Sequence, residues 1–220
     1  METPAETLAG LTLAEFGDRL ASAEPVPGGG SASAIVGSIA ASLLAMVARL
    51  SLDRPKYEAY QATNERALRV ADAARTRLLA LADDDVASYG RFAAARKMAK
   101  DTPEEQEARA VGSRAAARAA SDVPMSVVRE CADLLEEISS ATGRSNINAA
   151  SDLEVAARLA AAACRGAAAN VLINLPMVGD ERYAGATTAE LDGMLQNVDR
   201  MLAQVAERVG SREMRNPEAG

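Results

Sequence analysis

Histidine is absent from all 220 residues. That one gap removes a Ser-His-Asp triad, a Cys-His dyad, a histidine-built zinc site and every imidazole proton shuttle. Chemistry here falls to carboxylates, amides, Lys, Arg, Tyr or backbone groups. Tryptophan is missing too, and aromatics are only 3% of a chain that is 49% hydrophobic. Small aliphatics carry the apolar share, with alanine at roughly a quarter of the chain, far above average usage. Alanine is the best helix former and a poor filler of space, so the composition predicts helices packed close together. Basic residues are outnumbered, 24 against 31, for a net charge of −7. Such a surface repels phosphate backbones and anionic headgroups, so neither nucleic acid nor a membrane is an expected partner. The two cysteines, Cys131 and Cys164, fall inside predicted helices and outside any CxxC pattern. A disulfide between them is geometrically possible, but they read first as small buried hydrophobes of a reducing compartment. Met1–Leu11 has no basic n-region before an apolar run, so no signal peptide is expected and the location reads as cytoplasmic. The stretch to check for a membrane span, Pro25–Ala48, carries no charge but holds a continuous helical part, Ala32–Ala48, that falls short of the ~20 apolar residues a bilayer needs. It reads as a buried helix.

What is present is helix punctuation. Thr12-x-x-Glu15 is a capping box opening a short helix with Leu13, Phe16 and Leu20 on one face. After the Pro/Gly loop, Ser31 is placed to cap a helix to about Leu50. Its large residues (Ile35, Ile39, Leu43, Val47, Leu50) and its small ones (Ala34, Gly37, Ser38, Ala41, Ala45, Ala48) form two stripes, so both faces are expected to be buried. Asp53 and Pro55 start the next helical stretch, which runs to about Lys100. Thr102-x-x-Glu105 opens a helix to Ala120, and Pro124 opens another that ends at Gly143. Ser151-x-x-Glu154 caps a helix to about Asn174, where Pro176 stops it, and Thr187-x-x-Glu190 opens the last. The expectation is all-α: a multihelical bundle with long alanine-rich helices in a single domain, residues 1–210. Residues 211–220 read as a frayed tail.

Three places break the pattern of a plain bundle. Gly28-Gly29-Gly30-Ser31 runs straight into a helix, where converging N–H groups suit an anion and where a tight packing turn needs the same glycines. Asp85 follows Leu78 and Leu81 and precedes Tyr89 and Phe92 on one helical stripe. A carboxylate there must be paired, hydrogen-bonded or held protonated, which suits acid–base work or a buried ion pair. Asn146, Asn148, Ser151 and Asp152 crowd one loop and helix start, while Asn170 and Asn174 lie at i, i+4 near the end of the same helix. Asp152 and Asn170 project from one face with Ala156, Ala163 and Ala167 between, a strip able to floor a slot for a flat polar heterocycle. Capping is able to account for Ser151 and Asp152 without a ligand, but not for two helical asparagines.

Together, Pro25-Val-Pro-Gly-Gly-Gly-Ser-Ala-Ser-Ala34, Asp85 with an aromatic four residues on, Lys100-Asp-Thr, Val123-Pro124, Asn146-x-Asn148-Ala-Ala-Ser-Asp152 and Arg165-Gly-Ala-Ala-Ala-Asn170-Val-Leu-Ile-Asn174-Leu resemble the cyclodeaminase/cyclohydrolase family. The resemblance spans about Leu11 to Val209, departing at Ala99, where a proline is expected, and at Ser145, where a glycine is common. It implies an all-helical homodimer, a tetrahydrofolate substrate, and action at the one-carbon unit of 5-formimidoyl- or 5,10-methenyltetrahydrofolate. No metal and no cofactor beyond that substrate is implied. Asp85 and Asp152 are then the expected catalytic carboxylates, able to exchange roles. Asn146, Asn148, Asn170 and Asn174 are expected to hold pterin and amide edges, and Gly28, Gly29, Gly30 and Ser31 a carboxylate. A non-catalytic folate-binding or purely structural helical homodimer, and a member acting on another amidine, are the rival readings.

Overall fold

Thr12 and Thr102 each accept a hydrogen bond from the backbone three residues on while Glu15 and Glu105 reach back, so both predicted capping boxes form. In the computed structural model, which describes residues 7–217, they open two of six α-helices. Residues 1–6, where the stretch read for a signal peptide begins, and 218–220, the end of the tail, lie outside that range. The helices are α1 (Leu13–Leu20), α2 (Gly29–Ser51), α3 (Gln61–Arg96), α4 (Pro103–Ala141), α5 (Ala150–Asn174) and α6 (Glu181–Ser211). Short 3-10 turns precede α1 and α3 and flank α5, and no strand occurs among the described residues. The all-α fold is as expected.

Helices α2 to α5 form the central bundle, and α6 lies across α4 and α5. The small stripe of α2 makes this possible. Ala34, Ala41, Ala45 and Ala48 are buried, and a Cβ on Gly37 would stand 2.8 Å from Cys131 Sγ and 3.2 Å from Leu78. Alanines of α3 (Ala67, Ala71, Ala74, Ala82) and α5 (Ala156, Ala157, Ala160, Ala167) are fully covered in the same way. Larger residues, among them Leu44, Leu78, Leu135, Ile138 and Leu153, fill the remaining space, each worth ~1.5–3 kcal/mol on burial. Cys131 and Cys164 are free and buried, and burial pushes the Cys164 thiol up to about 11.

Several local expectations give way. Helix α1 buries none of its residues, and Leu13 is 81% exposed. The large stripe of α2 is only partly covered, with Ile39 and Leu50 exposed. Gly28, not Ser31, is the N-cap of α2, and Ala149 caps α5 without a side-chain bond, leaving Glu154 to pair with Arg158. Helix α6 starts at Glu181 behind an Asp180 cap, so Thr187 lies buried inside it. The two helices expected around Ala120 and Pro124 are one, with the proline in its interior. The segment after α6 is tied down as far as it is described: Tyr60 Oη donates to Arg215 O (2.8 Å), Arg144 Nε to Asn216 O (2.8 Å) and Arg215 N to Gly143 O (2.8 Å). Beyond the bundle, residues 90–115 of α3 and α4 form an arm in which only Ala95 is buried.

Candidate active site

Helices α2 and α5 run antiparallel in close contact. A Cβ on Gly29 would stand 3.3 Å from Asn170 Nδ2, one on Gly166 would meet Ser33 Oγ, and Asn146 N donates to Ser51 Oγ at the far end (2.8 Å). The start of α2 therefore lies beside the end of α5, and α3 brings Asp85 to the same place. Asp85 Oδ2 accepts from Ser31 N and Ser31 Oγ, both at 2.8 Å. The Ser31 hydroxyl also lies 3.1 Å from Ala82 O. A partial positive charge at a helix start favours an anion. The anion held at Ser31 is the chain's own carboxylate, where one brought by a ligand was expected. Oδ1 accepts no hydrogen bond from the described residues.

The triglycine has a steric reason. A Cβ on Gly30 would lie 2.2 Å from Asp85 Oδ1 and 2.6 Å from its Cγ, and only glycine admits the carboxylate so near the helix. Around Asp85 opens a cleft of about 220 Å³, lined among others by Gly28, Gly29, Gly30, Tyr89, Asn170 and Asn174. The two asparagines use their nitrogens on helix backbone: Asn170 Nδ2 donates to Gly166 O (2.8 Å), and Asn174 Nδ2 to Ala120 O (2.8 Å) and Asn170 O (2.9 Å). Asn174 thus has its oxygen left to offer a ligand, and Asn170 its oxygen and a second N–H. Phe92, Val26 and Ile173 add apolar wall. Ser88, also in the lining, turns its hydroxyl onto Asp85 O (2.8 Å). Sequence reading passed over Ser88 and Ile173, whose place depends only on which helices meet.

The remaining predicted site residues lie elsewhere. Asp152 is in the first turn of α5, eighteen residues from Asn170, or about 27 Å at the helical rise. Within one chain, then, it is not in the cleft with Asp85. Asn146 is buried beside the end of α2. Its Oδ1 accepts from Tyr57 Oη (3.3 Å) and Asn148 N (3.1 Å), and its Nδ2 donates to Leu50 O (3.2 Å). It fastens a loop, with both its oxygen and its nitrogen engaged inside the chain. Asn148 borders a separate recess with Ser151 and Arg212.

Fold and cleft define an all-helical protein in which a carboxylate held by a helix start borders a cleft shared with two carboxamides. The chain belongs to the formiminotransferase-cyclodeaminase family, whose model matches residues 12–193. It is 33% identical over 201 residues to the methenyltetrahydrofolate cyclohydrolase of Methylorubrum extorquens, covering 91% of this chain and 97% of that protein. To the formimidoyltransferase-cyclodeaminase of Sus scrofa it is 30% identical over 210 residues, 96% of this chain but 39% of that longer protein. The crystal structure of formiminotetrahydrofolate cyclodeaminase from Thermotoga maritima superposes with a TM-score of 0.84 at 30% identity, covering 93% of this chain and 98% of the other.

Proposed function

We propose that this chain is a folate one-carbon enzyme acting at the carbon between N5 and N10 of tetrahydrofolate, in the cytoplasm, without metal or redox cofactor. The observation that carries the reading is Asp85, a carboxylate bonded to Ser31 through one oxygen and bordering the cleft. Two reactions converge on that carbon. In cyclodeamination, N10 of 5-formimidoyltetrahydrofolate bonds to the amidine carbon and gives up its proton. The carbon–nitrogen bond to the amino group then breaks, and ammonia leaves once that nitrogen is protonated. In hydrolysis, water adds to the same carbon of 5,10-methenyltetrahydrofolate. The bond to N5 then breaks, yielding 10-formyltetrahydrofolate and a proton. Both need a base that accepts and returns a proton beside a cationic carbon, which a fixed carboxylate supplies. Asn170 and Asn174 offer oxygens to the N–H edge of a pterin, and Tyr89 and Phe92 offer ring faces.

Absorbance at the methenyl-folate band tests this. A rise on adding 5-formimidoyltetrahydrofolate means deamination, and faster decay of 5,10-methenyltetrahydrofolate means hydrolysis. A flat trace with both substrates refutes the enzyme reading.

The working unit we propose is a homodimer. Ile39, Met46 and Leu50 of α2 and Val155, Leu172 and Ile173 of α5 are exposed on two neighbouring helices, an apolar surface that a second copy would cover. A two-fold axis near the middle of α5 would also bring the Asp152 end of one copy to the Asn170 end of the other. Sedimentation at micromolar concentration should give twice the monomer mass, and a monomer would refute the dimer.

A further inference from the structure

Pro124 sits deep inside α4, past the first turn where proline is harmless. It has no N–H for the carbonyl four residues back, that of Ala120, and its ring crowds that oxygen. A carbonyl left without a donor in a partly buried place is costly. Ala120 O finds its donor on another helix, in Asn174 Nδ2 at 2.8 Å, and the same nitrogen also reaches Asn170 O at 2.9 Å. Both neighbours are acceptors. The carboxamide therefore cannot turn over without placing its oxygen against two carbonyl oxygens. Ala120 and Asn174 line the cleft, whereas Pro124 is buried and does not.

We propose that Pro124 is a positioning residue for the cleft. By vacating the Ala120 carbonyl it fixes the Asn174 carboxamide with nitrogen to the helices and oxygen available as an acceptor, favouring ligands with N–H donors on a flat edge. Alanine at 124 would return an N–H to Ala120 O, and Asn174 would keep only the carbonyl of Asn170. The ligand's identity rests on the folate reading, but the orientation of the amide does not.

The test compares the full chain with Pro124→Ala, Asn174→Ala and the double variant. Asn174→Ala should lower the melting temperature by about 3–6 °C, because it strands the Ala120 carbonyl. In the Pro124→Ala background the same change should cost less than half as much. Equal costs in both backgrounds would overturn the coupling. In ¹⁵N-labelled protein the Asn174 side-chain amide pair, assigned by its loss in Asn174→Ala, should exchange slowly with solvent and become faster in Pro124→Ala. An unchanged rate would overturn the positioning role. With active enzyme, Pro124→Ala should raise KM roughly three- to tenfold at near-constant kcat, the scale of one lost hydrogen bond. The double variant should match the KM of Asn174→Ala alone, and penalties that multiply independently would count against the proposal. If the unaltered chain turns over neither folate, the folate reading fails while the melting and exchange measurements still decide this one.

Discussion

The two ends of the α2–α5 pair are built from the same kinds of residue and do opposite things. At one end Asn146 engages both its amide nitrogen and its oxygen, with Tyr57, Leu50 and Asn148, under near-complete burial. At the other, Asn170 and Asn174 engage nitrogen only, and Asp85 holds Ser31 through one oxygen beside an open cleft. A polar side chain with both nitrogen and oxygen committed under burial is a fastener. One with an acceptor left over at a cleft is a candidate for binding. Residue type does not separate the two, and hydrogen-bond accounting does.

The sharpest way to test that contrast is Asp85→Asn. The amide oxygen still accepts from Ser31, so the melting temperature should change little, while the exchangeable proton and the negative charge are lost. A fall in kcat of ~10²–10⁴-fold is expected, and wild-type kcat would move Asp85 to the fastening class. Gly30→Ala should come next. Its methyl overlaps the carboxylate, at a cost of ~1–3 kcal/mol in overpacking, and a displacement of the reacting group near 1 Å can cost ~10²-fold in rate. Steady-state kinetics beside a thermal melt would show both effects, and unchanged kinetics would mean that the carboxylate is not where the chemistry happens. The smallest effect on rate is expected at the opposite end. Asn146→Ala should cost about 1–3 kcal/mol of stability by stranding buried partners, with kcat per folded molecule unchanged. A specific loss of kcat there would erase the distinction between the ends.

The fold was legible because helices announce themselves locally. The capping boxes at Thr12 and Thr102, the small stripe of α2 and the stop at Pro176 all act within a few residues of where they are read. The errors came from patterns that imitate such signals. Thr187-x-x-Glu190 has capping spacing but lies inside α6, and Pro124 looks like a helix start until Asn174 supplies the bond it forgoes. At the site, Asp85 stood out as a carboxylate on an apolar stripe, yet its partner Ser31 is 54 positions away and no spacing rule connects them. The partners of Asn146 were hidden for the same reason: Tyr57, Ser51 and Leu50 lie 89 to 96 positions off. Asp152 and Asn170 do share a helix face, but a common face says nothing about the 18 residues of helix between them.

The alanine packing of the core also sets how this chain tolerates change. Where Ala34, Ala71, Ala74, Ala157 and Ala160 lie at full burial, little side chain remains to remove, and a neighbouring helix stands where any added carbon would go. Substitution is therefore lopsided at these positions: valine or leucine would push helices apart at ~1–3 kcal/mol each, whereas in leucine-rich cores the larger losses come from truncation. Variants that survive in such a lineage should drift at the surface and keep the interior small, so that the spacing between helices, and with it the width of the cleft beside Asp85, is held nearly constant.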